Sequence, residues 1–137
     1  MGKDKALLEW RNVTLVEHLA DMVAHAAGSA TLVGEPDRYT KLGLPCLADE
    51  RPGLGPLSGL ETALTHTKAQ WNLVIACDLS GVNVRILNDL FQLIESTHRH
   101  IAVVRDGSGS VQPLCAVYNR CCLPTIRAAL DARASRP

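Results

Sequence analysis

Asp78 closes the segment Ala76-Cys77-Asp78 at the end of a nearly continuous apolar run, Trp71 to Cys77. A lone aspartate there has two readings: a solvated loop residue, or an oxygen ligand for magnesium beside a nucleotide phosphate, because hard divalent cations take carboxylate oxygens. Gly55-Pro56-Leu57-Ser58-Gly59 is a glycine-bounded helix start. Such a start is either an ordinary turn or a set of exposed backbone N–H groups able to bond a base, a sugar or a phosphate. Asp49, just after the run Leu44 to Leu47, reads as a solvated loop carboxylate or as a further polar contact to a ligand. Lys5, in Asp4-Lys5-Ala6-Leu7-Leu8, is a surface lysine or a point charge for phosphate.

The elements that must position these residues follow from periodicity. Leu15, Val16, Leu19, Met22, Val23 and Ala26 recur at helical spacing, Thr14 can cap the start and Gly28 follows the end, so a helix is expected over Leu15 to Ala27. Ala30 to Val33 and Leu44 to Leu47 read as short strands, the first closed by a turn at Gly34 to Asp37. Pro45 argues for a sheet edge. A helix from about Leu57 to Lys68, with Pro56 suited to its first turn, precedes the run Trp71 to Cys77, which is expected to be a central parallel strand buried on both faces. Further expectations are a helix from Val84 to Ser96, a hairpin of His100 to Arg105 with Val111 to Tyr118 across a polar turn, and a final helix from Leu123 to Ala132. Strands alternating with helices imply an α/β domain whose mainly parallel sheet is covered on both faces, with ligands outside the carboxyl ends of the strands. That places Asp78 where a ligand is expected.

Composition narrows the partners. The chain has 137 residues, 47% of them hydrophobic, enough for one domain spanning 1–137 with a continuous core. Lys plus Arg and Asp plus Glu each number 14, so there is no basic surplus for a phosphate backbone, and nucleic acid is not an expected partner. No apolar stretch approaches the roughly 20 residues that span a bilayer, and the N-terminus lacks a secretory apolar region, which makes a cytoplasmic protein the expectation. Five cysteines without a C-x-x-C pair read as buried or incidental thiols, His18 and His25 as helix-surface residues, and Trp10 and Trp71 as packing residues.

Taken in order, these signals resemble one family, the molybdenum cofactor guanylyltransferases, and the resemblance covers essentially the whole chain. Met1-Gly2-Lys3-Asp4-Lys5-Ala6-Leu7-Leu8 is similar to the end of that family's N-terminal signature. Asp49, the Pro-Gly-x-Gly-Pro-Leu-x-Gly stretch from Pro52 to Gly59, Ala76-Cys77-Asp78 and Gln112-Pro113-Leu114-Cys115-Ala116-Val117-Tyr118 follow in family order. The resemblance implies a Rossmann-like three-layer nucleotidyltransferase fold with its first strand and glycine-rich loop missing before Met1. It also implies transfer of a guanylyl group from GTP to the terminal phosphate of molybdopterin, with Mg2+ required and pyrophosphate released. Lys5 would neutralise the triphosphate, Gly55 and its neighbours would meet the nucleotide through backbone, Asp49 would bind base or sugar, and Asp78 would hold the metal. Molybdoenzymes or cofactor-biosynthesis proteins are the implied protein partners. Ser80 stands where the family usually has proline. On the missing loop, weak GTP binding and little turnover are expected. The alternatives are a cytidylyl or sugar-phosphate nucleotidyltransferase of the same fold, and a catalytically silent truncated binding module.

Overall fold

The computed structural model describes residues 5–10 and 12–136, without the side chains of Ala6 and Trp10. The expectations for Met1, Gly2, Lys3 and Asp4 and for packing by Trp10 lie outside the described residues. Two compact units share the chain: one holds Met1–Ala30 with Leu73–Val117, the other Thr31–Asn72 with Tyr118–Pro137.

In the first unit, β1 (Glu9–Trp10) and β2 (Val13–Thr14) pair antiparallel, with Asn12 in the left-handed region at φ 72°. Asparagine tolerates that conformation better than other side-chain-bearing residues. Helix α1 (Leu15–Ala27) has both expected ends. Thr14 and Glu17 form a reciprocal capping box: the Glu17 N–H donates to Thr14 Oγ1 at 3.2 Å, and the Thr14 N–H and hydroxyl donate to Glu17 Oε2 at 2.8 and 2.9 Å. Gly28 ends the helix at φ 92°, where a side chain would be strained. Val16, Leu19, Ala20 and Met22 bury the inner face of α1, which packs on α4 (Val84–Glu95), itself started by the Asn83 side chain accepting from the Ile86 N–H. Leu87, Leu90 and Ile94 make the inward stripe of α4, which also packs on β6 (Ile101–Arg105).

In the second unit, β3 (Leu32–Gly34) pairs parallel with β4 (Cys46–Ala48), Leu32 opposite Cys46. Pro45 precedes β4 rather than lying within it, and its carbonyl accepts from the Leu32 N–H at 2.8 Å. The turn expected at Gly34 to Asp37 is instead the start of a short helix, α2 (Pro36–Tyr39), whose Pro36 suits a first turn and whose Tyr39 is buried. Helix α3 (Pro56–His66) packs on α5 (Leu123–Ala134), with Leu60 and Leu64 meeting the apolar face of Leu123, Ile126 and Leu130.

A three-stranded sheet has the order β5 (Trp71–Ile75), β7 (Val111–Asn119), β6. The Ala76 N–H donates to the Leu114 carbonyl and the Arg120 N–H to the Gln70 carbonyl, so β5 and β7 run antiparallel. The expected hairpin of β6 and β7 is present, its five-residue connection being far too short for a parallel crossover. The expected central strand is corrected. β5 stops at Ile75, lies at one side of its sheet among the described residues, and is only half-buried, whereas β7 takes the middle place and is buried from Cys115 to Asn119. Neighbours on both sides, not the apolar run alone, decide which strand is covered. None of the five cysteines forms a disulfide; Cys115 is buried in β7 and Cys77 sits in the turn after β5. Among the described residues, no helix is long and apolar enough to cross a membrane.

Asp106 holds the hairpin turn. Its Oδ1 accepts from the Ser108 N–H at 2.9 Å, the Ser108 hydroxyl at 2.5 Å and the Ser110 N–H at 3.0 Å, and its Oδ2 accepts from Gln112 Nε2 at 2.7 Å. The Ser108 hydroxyl first, then the Ser110 N–H, hold the carboxyl pKa below its ordinary value. A lowered pKa means the turn is supported above the ordinary carboxylate range and loosens as pH falls through the depressed value. In an NMR titration the Ser108 and Ser110 amide shifts should follow a midpoint below the ordinary Asp value of about 3.9. A midpoint at or above that value would contradict this account of the turn.

Candidate functional site

Of the four residues singled out by sequence, the structure sets Asp49 and Gly55 together at the start of α3 in the second unit. Lys5 and Asp78 belong to the first unit, Lys5 in a 3-10 turn (Lys5–Leu7) and Asp78 in the turn after β5, and both are exposed. The Leu79 N–H donates to the Ala76 carbonyl at 3.2 Å, which closes the Asp78 turn, and the Asp78 carboxylate makes no hydrogen bond or ion pair among the described residues. Magnesium commonly keeps several waters and takes only one or two protein carboxylates beside substrate phosphates, so an uncommitted single carboxylate suits it. No group of three or more His, Cys, Asp or Glu is arranged to hold a metal among the described residues.

The Asp49 loop is closely tied. Asp49 Oδ1 accepts from the Arg51 N–H at 3.0 Å. The Ser58 hydroxyl has one proton and two acceptors in reach, Asp49 Oδ1 and the Arg51 carbonyl, the latter at 2.9 Å. Ser58 is fully buried, so this bonding fixes Asp49 to the first turn of α3. The Glu50 N–H donates to the buried Thr62 hydroxyl at 3.1 Å, one turn further along. Glu50 also meets His66 Nε2 at 2.8 Å.

Beyond Arg51 the chain turns through Pro52 to Leu54 into Gly55, which stands at φ 83°, ψ −169°. That combination of dihedrals is populated essentially by glycine alone. Gly55 has no side chain with which to cap α3 and Pro56 has no N–H, so the Leu57 N–H is left without an intrahelical partner at the positive end of the helix dipole. The arrangement can offer main-chain donors and one carboxylate to a polar ligand.

A set of ion pairs stands behind the loop. Arg51 Nη1 donates to Asp131 Oδ1 at 2.7 Å and Nη2 to Glu61 Oε1 at 3.0 Å, while Arg127 Nε lies 3.6 Å from the same Glu61 oxygen. Arg127 also donates to Thr65 Oγ1, and Arg133 to the Leu54 carbonyl at 3.2 Å. The Asp131 hydrogen bond, followed by the charges of Glu61 and Asp131 against partial desolvation, raises the Arg51 pKa, so the guanidinium stays charged. Sequence reasoning missed Arg51, Ser58, Glu61, Arg127 and Asp131. The available signal was Glu61 itself, a charge at the core-facing spacing of Leu57, Leu60 and Leu64.

A family model described as "MobA-like NTP transferase domain" matches residues 1–137. The chain belongs to the MobA-like NTP transferase family. A protein of Carboxydothermus hydrogenoformans named "Probable molybdenum cofactor guanylyltransferase" is 32% identical over 136 residues, covering 99% of this chain and 68% of that protein. A Nostoc protein of the same name is 34% identical over 130 residues, covering 92% of this chain and 63% of the relative. The chain thus spans about three fifths to two thirds of these relatives. The crystal structure of molybdopterin-guanine dinucleotide biosynthesis protein A from Archaeoglobus fulgidus superposes with a TM-score of 0.73 at 19% identity, covering 96% of this chain and 67% of that one. A CMP:2-keto-3-deoxy-manno-octonic acid synthetase complexed with CTP superposes with a TM-score of 0.64 at 11% identity, covering 95% and 76%. The α/β nucleotidyltransferase fold expected from the sequence is therefore the fold of this chain.

The Gly55 conformation can be checked directly. A Cβ on Gly55 would meet Arg133 Nη1 at 3.8 Å, an ordinary contact, so a substitution there strains the backbone rather than the space. Gly55→Ala should lower unfolding free energy by about 1–3 kcal/mol in urea titration. A midpoint equal to the parent's would show that the loop is free to adopt another conformation.

Proposed function

We propose that this chain provides the body of a nucleotidyltransferase that moves a guanylyl group from GTP to the terminal phosphate of molybdopterin, in molybdopterin guanine dinucleotide biosynthesis. The observation that carries the reading is the family match over 1–137, joined to a fixed Asp49 beside a glycine-only bend at the start of α3. An oxygen of the acceptor phosphate attacks the α-phosphorus of GTP. The new P–O bond forms as the bond to the bridging oxygen breaks, and pyrophosphate leaves with that electron pair. Such transfers ask the protein for positioning and charge stabilisation rather than covalent participation.

In this reading Asp49 accepts hydrogen bonds from the base or sugar, Gly55 and its neighbours approach the nucleotide through main chain, and the Lys5 ammonium balances phosphate charge. Asp78 holds magnesium, which when bound supplies the concentrated positive charge that phosphates favour. Guanine is preferred over cytosine on the strength of the relatives' names and the Gly55 to Gly59 and Gln112 to Leu114 motifs. The acceptor is molybdopterin, and proteins that make or use the molybdenum cofactor are the proposed partners.

Thermal unfolding with GTP or CTP, with and without magnesium, tests the reading. GTP with magnesium should raise Tm more than CTP does. A ligand at about 100 times its Kd stabilises by about 2.7 kcal/mol, so a specific site is readily seen. Asp78→Asn should remove the magnesium-dependent part of the shift while leaving the unliganded Tm near the parent's, because Asp78 bonds to nothing else described. An equal response to both nucleotides would argue for a nucleotidyltransferase of another base. A magnesium response surviving Asp78→Asn would place the metal on other ligands.

A further inference from the structure

Glu61 is the least expected residue of the second unit. It lies on α3 among Leu60, Thr62 and Leu64, is 2% exposed, and its Oε2 accepts no hydrogen bond among the described residues. Its Oε1 alone meets Arg51 at 3.0 Å and Arg127 at 3.6 Å. A buried carboxylate with one idle oxygen is costly, and apolar residues of similar size fill such a helix face at least as well. Its placement makes sense through what Arg51 does with its main chain. The Arg51 N–H donates to Asp49 Oδ1, and the Arg51 carbonyl is an acceptor for the Ser58 hydroxyl that also reaches Asp49. Asp131, the other partner of the Arg51 guanidinium at 2.7 Å, is a largely exposed side chain whose pairing is screened by solvent.

We infer that Glu61 is a positioning residue for nucleotide binding: from within α3 it holds the Arg51 side chain, and so fixes the Arg51 main chain that orients the Asp49 carboxylate before the nucleotide arrives. The inference rests on the reading of Asp49 as a nucleotide contact. A carboxylate already set in place costs no ordering on binding, whereas a loop released from its anchor must be ordered each time. Glu61 acts on affinity for the nucleotide and not on the transfer step.

The test is a double-mutant cycle of Glu61→Gln and Asp49→Asn, reading GTP Kd by calorimetry in the presence of magnesium, with circular dichroism melting to establish that each variant is folded. Glu61→Gln should weaken GTP binding about fivefold or more. In the Asp49→Asn background the same change should add less than about twofold, because the group it positions is already gone. In turnover with molybdopterin as acceptor, Glu61→Gln should raise KM for GTP and leave kcat at saturating GTP within about twofold. Arg51→Lys, which keeps charge but loses the two-nitrogen fork, should reproduce the coupled loss and carries the test if Glu61→Gln does not fold. Unaltered GTP affinity in folded Glu61→Gln, or in Arg51→Lys where Glu61→Gln does not fold, overturns the inference, as do losses that simply add in the cycle. Unaltered affinity in Asp49→Asn overturns the reading of Asp49 and the inference with it. Weakened Asp49→Asn beside an unaffected Glu61→Gln overturns the inference alone.

Discussion

A charge inside an apolar helix face must be answered by an opposite charge, and in the second unit that requirement fixes the order of the site. Glu61 faces the same side of α3 as Leu60 and Leu64, and among the described residues the groups that satisfy it are brought to that face by other elements. Arg51 comes from the loop after β4 and Arg127 from α5, and the pairing therefore joins a loop and two helices at one oxygen. Leu64 and Leu130, fully buried, supply the close approach of α3 and α5 around it. Arg51 is thus committed at its side chain, and its main chain is left to bracket Asp49. A surface loop that would otherwise sample many conformations is held at two points, Arg51 and Ser58, before any ligand is present.

The elements that could be read from the sequence are those whose causes are local. Helix α1 begins and ends where Thr14 and Gly28 say it must, because a capping box and a left-handed glycine act within a few residues of the chain. The β6 and β7 hairpin was equally legible, its polar turn lying between two largely apolar runs. The position of β7 between its neighbours was not, since burial of a strand depends on which strands flank it and not on its own composition. Trp71 to Ile75 and Cys115 to Asn119 each hold four apolar residues and one asparagine, yet the second is the more deeply covered. The two-residue strands β1 and β2 carry no period from which to read them.

Within the candidate site the same division holds. Asp49 and Gly55, like Asp78 and Lys5 in the first unit, stood out through their residue types and their place in the family order. Ser58, Arg51 and Glu61 stayed hidden because reading by periodicity assigns charges to the solvent and a serine at a helix start to capping or nothing. Glu61 breaks the helix rule and Gly55 adopts a conformation that most residues avoid, and both departures lie at the loop bearing Asp49. Local rules broken side by side are expected where a site is built.

The most direct measurement of the account is a backbone amide NMR titration of the chain with GTP and magnesium. Binding of the nucleotide at the start of α3 predicts saturable shifts concentrated from Asp49 through Leu57, while the Asp106 to Ser110 turn stays still. Saturable shifts confined to other segments, or none at Asp49 and Gly55 at full occupancy, would contradict it.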